Sequence, residues 1–514
     1  MRMLLRLRAV SAPSVRAMSL RSRVLCIASV LVLAACGGES STPDSTTALT
    51  PGSSAVPYSA TITWKACATG FAEGDECGSI KVPYSYDDPS IGMFTLRMRR
   101  HPAQVKAERI GSMLVNPGGP GFGGQFMVEQ ASSYFSSDLV DRFDIIGWDP
   151  RGTGESEPAV DCVDEYDSYF AVDPTPEDDA AKQALIDASK KFDDACEKKS
   201  GDILPWISTN NTARDMDTIR RALGEEKITY FGFSYGSELG ATWATMFPST
   251  VRAAVIDGAT DPTADAIQGG ILQATGFERE LNTFLAQCSA DSKCPFWNNG
   301  KAEAAYDALA EAIDRKPVNV RAGRTPVNLA VFDTAVSQAM YSSSIWPSLE
   351  QALADLQKGD GAGILGLYDD YYQRKGDGTY GNELEAFTAI SCIDDPGPRT
   401  VEETDKYLSR FLEVAPRLGA SFASGYACVF WPAKPDYRVA ITGKDAGPIL
   451  VVGTTGDSAT PLEGTRKMAD TLEDGRLIVL TANRHTGYGE NACVTGAVDQ
   501  YLISTKVSFE EKAC

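Results

Sequence analysis

The sequence predicts an α/β protein, in which a mostly parallel sheet carries a large and mostly helical cap. Six short apolar runs, rich in β-branched and aromatic residues, alternate with segments of helical periodicity, as buried parallel strands alternate with crossover helices. The long stretch 262–444 has Ala/Leu-rich helical patterns and lacks a strand-like rhythm. With 514 residues, 43% of them hydrophobic and 23% charged, the chain fits one large decorated globular domain or two domains.

The strand-like runs divide into an edge and a centre. Pro and Gly punctuate the first three runs, which predicts an antiparallel edge at 61–65, 78–84 and 93–100. The six central runs predict parallel strands at 111–115, 143–148, 228–233, 253–257, 448–453 and 476–480. An acidic helical insertion is expected at about 162–206. The core is therefore expected in two parts, 59–261 and 445–514, with the cap 262–444 between them.

The N-terminus has the features of an export signal over 1–35. Six Arg precede or flank an apolar run, Val24–Ala35, that is too short to span a bilayer and ends in Leu33-Ala-Ala-Cys36. This end resembles a bacterial lipobox, which implies cleavage before Cys36, a lipid on its sulfur and a flexible tether over 36–58. The expected location is the outer face of the plasma membrane or the cell envelope. An ordinary signal peptide is the alternative, and Met18 is a second possible start.

Charge and histidine content exclude several functions. Residues 1–35 hold six of the 48 Lys and Arg and no acid, so the rest of the chain carries 42 basic and 69 acidic side chains, a formal net charge of −27. Nucleic acid is therefore not expected as a partner. The chain has only two histidines, His101 and His485, so a multi-histidine metal site is excluded. We expect no metal and no cofactor.

Cysteine usage agrees with export. Cys26 lies in the signal and Cys36 is assigned to the lipid, which leaves ten cysteines, an even number without the paired spacing of a zinc site. Their spacing suggests sequential disulfides, although other connectivities stay open: 67 with 77, 162 with 196, 288 with 294, 392 with 428, and 493 with 514. Thiol catalysis is not favoured, because no Cys lies in a turn between a strand and a helix.

The clearest chemical signal is a G-x-S-x-G turn, Gly232-Phe-Ser234-Tyr-Gly236, which follows an apolar strand and precedes a helical pattern. A sharp turn of this kind needs glycines on both sides and exposes the serine hydroxyl at the helix N-terminus. The pentapeptide alone is common by chance, and a structural Gly-rich turn is the alternative. Its strand and helix context favours Ser234 as a nucleophile.

A serine nucleophile needs a base, and in this arrangement the order along the chain is nucleophile, acid, base. His101 precedes Ser234 and ends an edge strand, whereas His485 follows the last parallel strand, so only His485 fits. The acid is expected at the end of the preceding strand, where Asp457 stands. Thr460 just after it would help to hold the loop of the acid.

The developing oxyanion needs backbone donors that are already in place. The amide of Tyr235, directly after the nucleophile, is the first expected donor. The second should come from the glycine-rich loop after the strand 111–115, where Gly119 is the favoured position. This loop does not fit a phosphate-binding loop, because no Gly-Lys-Ser/Thr follows it.

The motifs together resemble one family. They are N-P-G-G-P-G at 116–121, D-P-R-G-T-G-E-S at 149–156, F-G-F-S-Y-G at 231–236, G-D-S-A-T-P at 456–461 and the H-T-G that begins at His485. In order and spacing, from about residue 61 to the end, the chain resembles the exported bacterial tripeptidyl aminopeptidases, relatives of the proline iminopeptidases within the α/β-hydrolases. The resemblance implies a serine exopeptidase with the triad Ser234, Asp457 and His485. Iminopeptidases usually have His where Asn116 stands, which favours release of a short peptide over release of a single proline.

An aminopeptidase must also bind a free ammonium group, which requires carboxylate partners if the group is buried. In the cap, Asp394 and Asp395 are the predicted partners, with Glu155 and Glu238 in the core as rivals. A cell-envelope esterase or lipase is the alternative enzyme, because the same machinery cleaves esters. A non-catalytic peptide-binding lipoprotein is the alternative outside enzymes.

Overall fold

The computed structural model describes residues 58–67, 74–423 and 425–514. In these ranges one ten-stranded sheet runs in the order β1-β2-β3-β5-β4-β6-β7-β8-β9-β10. The strands are β1 Lys65–Ala66, β2 Glu76–Pro83, β3 Met93–His101, β4 Gly111–Asn116, β5 Phe143–Trp148, β6 Ile228–Phe233, β7 Val251–Asp257, β8 Ile449–Thr454, β9 Gly475–Leu480 and β10 Glu511–Ala513. The predicted signal peptide, and Cys36 with most of its tether, lie outside the described residues.

The sheet has the predicted antiparallel edge and parallel centre. β1, β2 and β3 pair antiparallel, β3 pairs antiparallel with β5, and the remaining pairs are parallel. The prediction of a strand over 61–65 was wrong except at its end, since β1 contains only Lys65 and Ala66. β10 was missed because a strand of three residues, Glu-Lys-Ala, carries no apolar pattern.

Helices cover both faces of the sheet, which explains why the central strands are apolar at successive positions. Leu114 and Ile256 belong to a core on the face packed by α6 and α7. Met113 and Val255, their sequence neighbours, belong to a core on the face packed by α1, α3 and α18. Successive side chains of a strand point to opposite faces, so both neighbours are buried.

The helices of the described ranges fall into three groups. Those before β7 are α1 Gln125–Glu129, α2 Ala131–Tyr134, α3 Ser137–Arg142, α4 Asp167–Phe170, α5 Asp179–Ser200, α6 Thr209–Ala222 and α7 Tyr235–Met246. Those between β7 and β8 are α8 Ala266–Ala290, α9 Ala302–Arg315, α10 Leu329–Met340, α11 Trp346–Leu356, α12 Ala362–Tyr371, α13 Glu383–Asp394, α14 Val401–Asp405, α15 Leu408–Val414 and α16 Gly419–Ala423. Those after β8 are α17 Leu462–Thr471 and α18 Ala492–Ser504.

The second group occupies the stretch assigned to the cap, and α4 and α5 occupy the predicted insertion. Cap helices share a core of their own, to which α8, α10 and α11 contribute Leu281, Phe332 and Leu353. Cap and sheet nevertheless belong to one compact unit. None of the helices in the described ranges is long and apolar enough to cross a membrane.

Disulfides join the ten cysteines in the five sequential pairs that their spacing suggests, with S–S distances between 1.94 and 2.06 Å. The Cys392–Cys428 bond ties α13 to the segment after α16. The Cys493–Cys514 bond fixes the C-terminal strand beside α18. Closing such loops stabilises the fold chiefly by restricting the unfolded chain.

Candidate active site

Ser234 lies in the turn between β6 and α7, at the centre of the carboxyl edge of the sheet. Its backbone angles, φ 55° and ψ −127°, belong to a region that residues other than glycine rarely adopt. The turn is tight, since a Cβ built on Gly232 would lie only 2.2 Å from the carbonyl oxygen of Gly236. The Ser234 amide donates a 2.8 Å hydrogen bond to the carbonyl oxygen of Asp257. The strained turn agrees with a serine held for chemistry.

His485 and Asp457 lie in the loops that follow β9 and β8, where the sequence predicts them. Their side chains are in contact. Both carboxylate oxygens of Asp457 lie 3.0 Å from Nδ1 of His485. Asp457 is fully buried and also accepts hydrogen bonds from the amide of Thr460 at 2.8 Å and from its hydroxyl at 2.9 Å. These contacts hold the carboxylate in place, and the carboxylate in turn fixes the orientation of the imidazole.

The protonation of His485 is set by opposing influences. Burial lowers the pKa of the imidazole, but the charge and hydrogen bond of Asp457, with a smaller contribution from Asp257, outweigh burial and raise it above 6.5. The cation of Arg484 acts in the lowering direction. Nδ1 faces Asp457, so Nε2 is the nitrogen left to act as a base. Nε2 is buried and has no hydrogen-bond partner among the described residues, the Ser234 hydroxyl included.

Ser234 and His485 line one cavity of about 790 Å³ at the carboxyl edge of the sheet. In free enzymes the bond from nucleophile to base is often long and tightens only when substrate binds. An Nε2 without a partner, on a residue that lines the same cavity as Ser234, therefore agrees with an enzyme that has no substrate bound.

The glycine-rich loop after β4 packs directly against the nucleophile. A Cβ on Gly118 would lie 2.8 Å from the Cβ of Ser234 and 3.0 Å from the amide nitrogen of Tyr235. The Gly118 amide already donates to Oδ1 of Asn116 at 2.9 Å, so it is not available to an oxyanion. Gly119, with φ 107°, lines the cavity. Of the predicted donor pair, Tyr235 directly follows Ser234, and Gly119 lines the same cavity as Ser234.

Comparison with known proteins gives the family. The α/β-hydrolase fold family matches residues 111–492. The chain belongs to the α/β-hydrolase family. It is similar to serine protease Hip1 of Mycobacterium tuberculosis, with 34% identity over 84% of this chain and 85% of the relative.

Two further relatives carry different names. Carboxylesterase B of Mycobacterium tuberculosis is 34% identical over 86% of this chain and 87% of its own length. The tripeptidyl aminopeptidase of Streptomyces lividans is 30% identical over 88% of this chain and 86% of its own length. This hydrolase is therefore an enzyme of the serine hydrolase class, and the resemblance read from its motifs is confirmed.

The cap of this hydrolase completes the histidine loop. The amide of His485 donates a 2.8 Å hydrogen bond to the carbonyl oxygen of Tyr341, and the two rings meet edge to face at 5.6 Å. Ser343 donates through its amide to the carbonyl oxygen of Asn483 at 2.9 Å. No local signal in the sequence marks these contacts, because residues 341–343 follow α10 without a motif and reach the loop only through tertiary folding.

The cavity walls differ in character. Aromatic side chains from the core and the cap, among them Phe122, Phe126 and Phe387, form much of the lining. Asp370 and Glu383 bring carboxylates from the cap. The first turn of α13 packs on the glycine-rich loop, since a Cβ on Gly121 would lie 2.4 Å from the carbonyl oxygen of Glu383.

The predicted amine ligands lie elsewhere. Asp394 is buried and accepts hydrogen bonds from the amide of Thr209, at 2.9 Å, and from its hydroxyl, so both oxygens hold the N-terminus of α6. Asp395 caps a turn at Gly397 through a 3.3 Å hydrogen bond. Neither residue lines the cavity around Ser234, so their assignment to the substrate amine is corrected.

The rival acids are also engaged. The carboxylate of Glu155 accepts a hydrogen bond from Gln125 at 3.4 Å, and Glu238 forms an ion pair with Arg438. Neither lines the cavity that holds Ser234. The described residues contain no group of three or more His, Cys, Asp or Glu that could hold a metal ion.

Proposed function

We propose that this hydrolase is a serine exopeptidase that releases short peptides, of about three residues, from the N-terminus of peptides or proteins. The observation that carries the proposal is the His485 imidazole, which is bound through Nδ1 to Asp457, has no partner at Nε2, and belongs to a residue that lines the same cavity as Ser234. The names of two relatives, serine protease Hip1 and tripeptidyl aminopeptidase, support a peptidase.

The geometry supports an acyl-enzyme mechanism. Nε2 of His485 takes the proton of the Ser234 hydroxyl as Oγ attacks the scissile carbonyl carbon. Asp457 stabilises the imidazolium, and the amides of Gly119 and Tyr235 receive the oxyanion. His485 then gives the proton to the leaving amine as the peptide bond breaks. Water, deprotonated by the same imidazole, hydrolyses the ester on Ser234 and frees the peptide.

Recognition of the free N-terminus falls to the cap. Asp370 and Glu383 are the cavity-lining carboxylates from the cap, and Glu383 begins the helix that packs on the glycine-rich loop. A substrate held with its carbonyl oxygen at Gly119 directs the acyl side away from His485, which serves the leaving group. The proposal places the ammonium, which lies on the acyl side, beside these two carboxylates.

Acetylation of the substrate amine is expected to lower kcat/KM at least about thirtyfold, because it removes a charge that the carboxylates stabilise. The measurement compares one tripeptidyl amide with its amine free and acetylated. Asp370→Asn and Glu383→Gln should reduce this discrimination. Glu402→Gln is the matched control, since Glu402 is also an acid in the first turn of a cap helix but is exposed and outside the cavity.

Equal turnover of the two substrates by the wild type would exclude the aminopeptidase and leave an endopeptidase or an esterase. Carboxylesterase B among the relatives and the aromatic part of the cavity give the esterase its support as the second candidate. Faster cleavage of fatty acyl esters than of peptidyl amides would then identify it. If discrimination survives both substitutions, the exopeptidase stands and only the choice of carboxylates fails.

We propose further that the enzyme is anchored to the cell envelope by a lipid on Cys36, as the lipobox-like sequence implies. Replacing Cys36 by serine is expected to move the protein from the membrane fraction to the soluble fraction of cells. Cys26→Ser, a matched change inside the apolar run of the signal, should leave it in the membrane. Equal membrane recovery of both variants would contradict a lipid anchor.

A further inference from the structure

Asp257, the last residue of β7, touches both halves of the catalytic machinery. Its carbonyl oxygen accepts the 2.8 Å hydrogen bond from the amide of Ser234. Its carboxylate accepts hydrogen bonds from the amides of Gly487, at 2.8 and 3.0 Å, and Tyr488, at 2.7 Å. Asp257 is fully buried, and none of the mechanistic steps above uses its carboxylate.

We propose that Asp257 is a positioning residue that ties the nucleophile turn to the histidine loop and places a negative charge near His485. The inference depends on the proposed roles of Ser234 and His485. It does not depend on whether the substrate is a peptide or an ester.

The histidine loop needs such an anchor. Thr486, directly after the base, has φ 66°, a left-handed conformation that β-branched residues rarely adopt. The two amides that follow it are those that Asp257 binds, so the carboxylate holds the loop in its strained form. The chain next to Asp257 also lies against the base, since a Cβ on Gly258 would lie 3.1 Å from Cε1 of His485. A displacement of the imidazole by about 1 Å can cost a factor of about a hundred in rate.

Asp257 does not replace Asp457 as the partner of the imidazole. Nδ1 of His485 is bound by Asp457, whereas the carboxylate of Asp257 binds backbone amides. The two carboxylates thus have separate tasks. Asp457 orients the ring within the loop, and Asp257 holds the loop on the sheet.

The charge of Asp257 depends on pH in the range where His485 titrates. Burial raises the pKa of Asp257 to about 6, although the amides of Tyr488 and Gly487 and the charge of His485 act in the lowering direction. Charged or titratable groups face His485 from four segments: Asp457 after β8, Asp257 on β7, Arg484 in its own loop and Tyr341 in the cap. The two carboxylates favour the imidazolium and Arg484 opposes it. Removing the charge of Asp257 therefore lowers the pKa of His485.

The test measures the rate at which a fluorophosphonate labels Ser234 between pH 5 and 9, in the wild type, Asp257→Asn and Asp499→Asn. This reaction needs only an activated serine, so its result is independent of substrate class. Asp499 is the matched control, because it is also buried and accepts a 2.7 Å hydrogen bond from the Tyr488 hydroxyl, but it does not bind the loop backbone.

For Asp257→Asn we expect a labelling rate about tenfold lower on the alkaline plateau and an acid-limb midpoint lower by roughly half a pH unit. Asp499→Asn should keep the wild-type midpoint. An unchanged midpoint in Asp257→Asn, whatever its plateau, overturns the proposal, since loss of packing alone lowers the rate at every pH equally. Absence of labelling in the wild type would instead overturn the proposed serine chemistry.

A second measurement serves if Asp257→Asn does not fold. The chain has only two histidines, so His101→Ala leaves a single histidine resonance, that of His485. NMR of ring-labelled histidine in that variant should show a second inflection near pH 6, from protonation of Asp257. A titration curve with a single inflection, from His485 alone, would overturn the inference.

Discussion

Replacing Ser234 by alanine is expected to lower kcat by on the order of a million-fold, because no other group can form the acyl-enzyme. The fold should remain, since the side chain is only partly buried and makes no capping hydrogen bond to α7. The rate of hydrolysis of a tripeptidyl amide measures the loss of kcat, and the melting temperature measures whether the fold remains. Activity above about a thousandth of the wild type in pure protein would contradict Ser234 as the nucleophile.

Ser234→Gly is the matched variant for stability. At φ 55° and ψ −127° a residue with a Cβ is strained, by about 1–3 kcal/mol, and glycine is not. Glycine also increases the freedom of the unfolded chain, which offsets up to about 1 kcal/mol of that gain. We expect the glycine variant to be as inactive as the alanine variant and to melt at the same temperature or higher. A lower melting temperature would mean that the turn is not strained.

The positions of the proposed triad residues could be predicted because each is marked locally. Ser234 stands in a pentapeptide between a strand and a helix, and the structure has β6 and α7 on its two sides. Asp457 and His485 follow buried strands, and parallel strands bring their carboxyl ends to one edge. With two histidines in the chain, the order of the motifs left one choice of base.

The cap residues that line the cavity around Ser234 could not be predicted in the same way. Asp370 and Glu383 carry no local motif, and only the tertiary folding of the cap brings them to the cavity that Ser234 lines. The pair Asp394 and Asp395 was conspicuous in the sequence, but adjacency does not show which amides a carboxylate will meet. Asp394 meets the amide of Thr209 and stabilises the start of α6, where a negative charge is favoured by the helix dipole.

Asp257 shows a further limit of prediction from the sequence. It ends a buried strand, as Asp457 comes just after one, so position along the chain does not separate the two carboxylates. Only their tertiary contacts distinguish the two carboxylates. Nδ1 of His485 lies 3.0 Å from both oxygens of Asp457, while Asp257 is engaged by the amides of Gly487 and Tyr488.

His485→Ala is expected to lower kcat/KM by a factor of about ten thousand or more, because the Ser234 hydroxyl then has no base. His101→Ala is the matched control and should change kcat/KM less than about twofold. His101 ends β3 at the antiparallel edge, where its Nδ1 lies 2.7 Å from Oδ1 of Asp75. Its loss leaves the buried Asp75 carboxylate without this partner, so stability can fall while the chemistry is kept. Assays well below the melting temperature separate the two effects.

The dependence of wild-type kcat/KM on pH tests His485 as the base without a substitution. A general base works in its neutral form, so kcat/KM falls as the pH falls through the pKa of His485. The charge and hydrogen bond of Asp457 outweigh burial and raise that pKa, so the acid-limb midpoint should lie above the ordinary imidazole value of about 6.5. In His101→Ala the midpoint should stay where it is in the wild type. A flat profile from pH 5 to 8, or equal losses in the two histidine variants, would show that His485 is not the base.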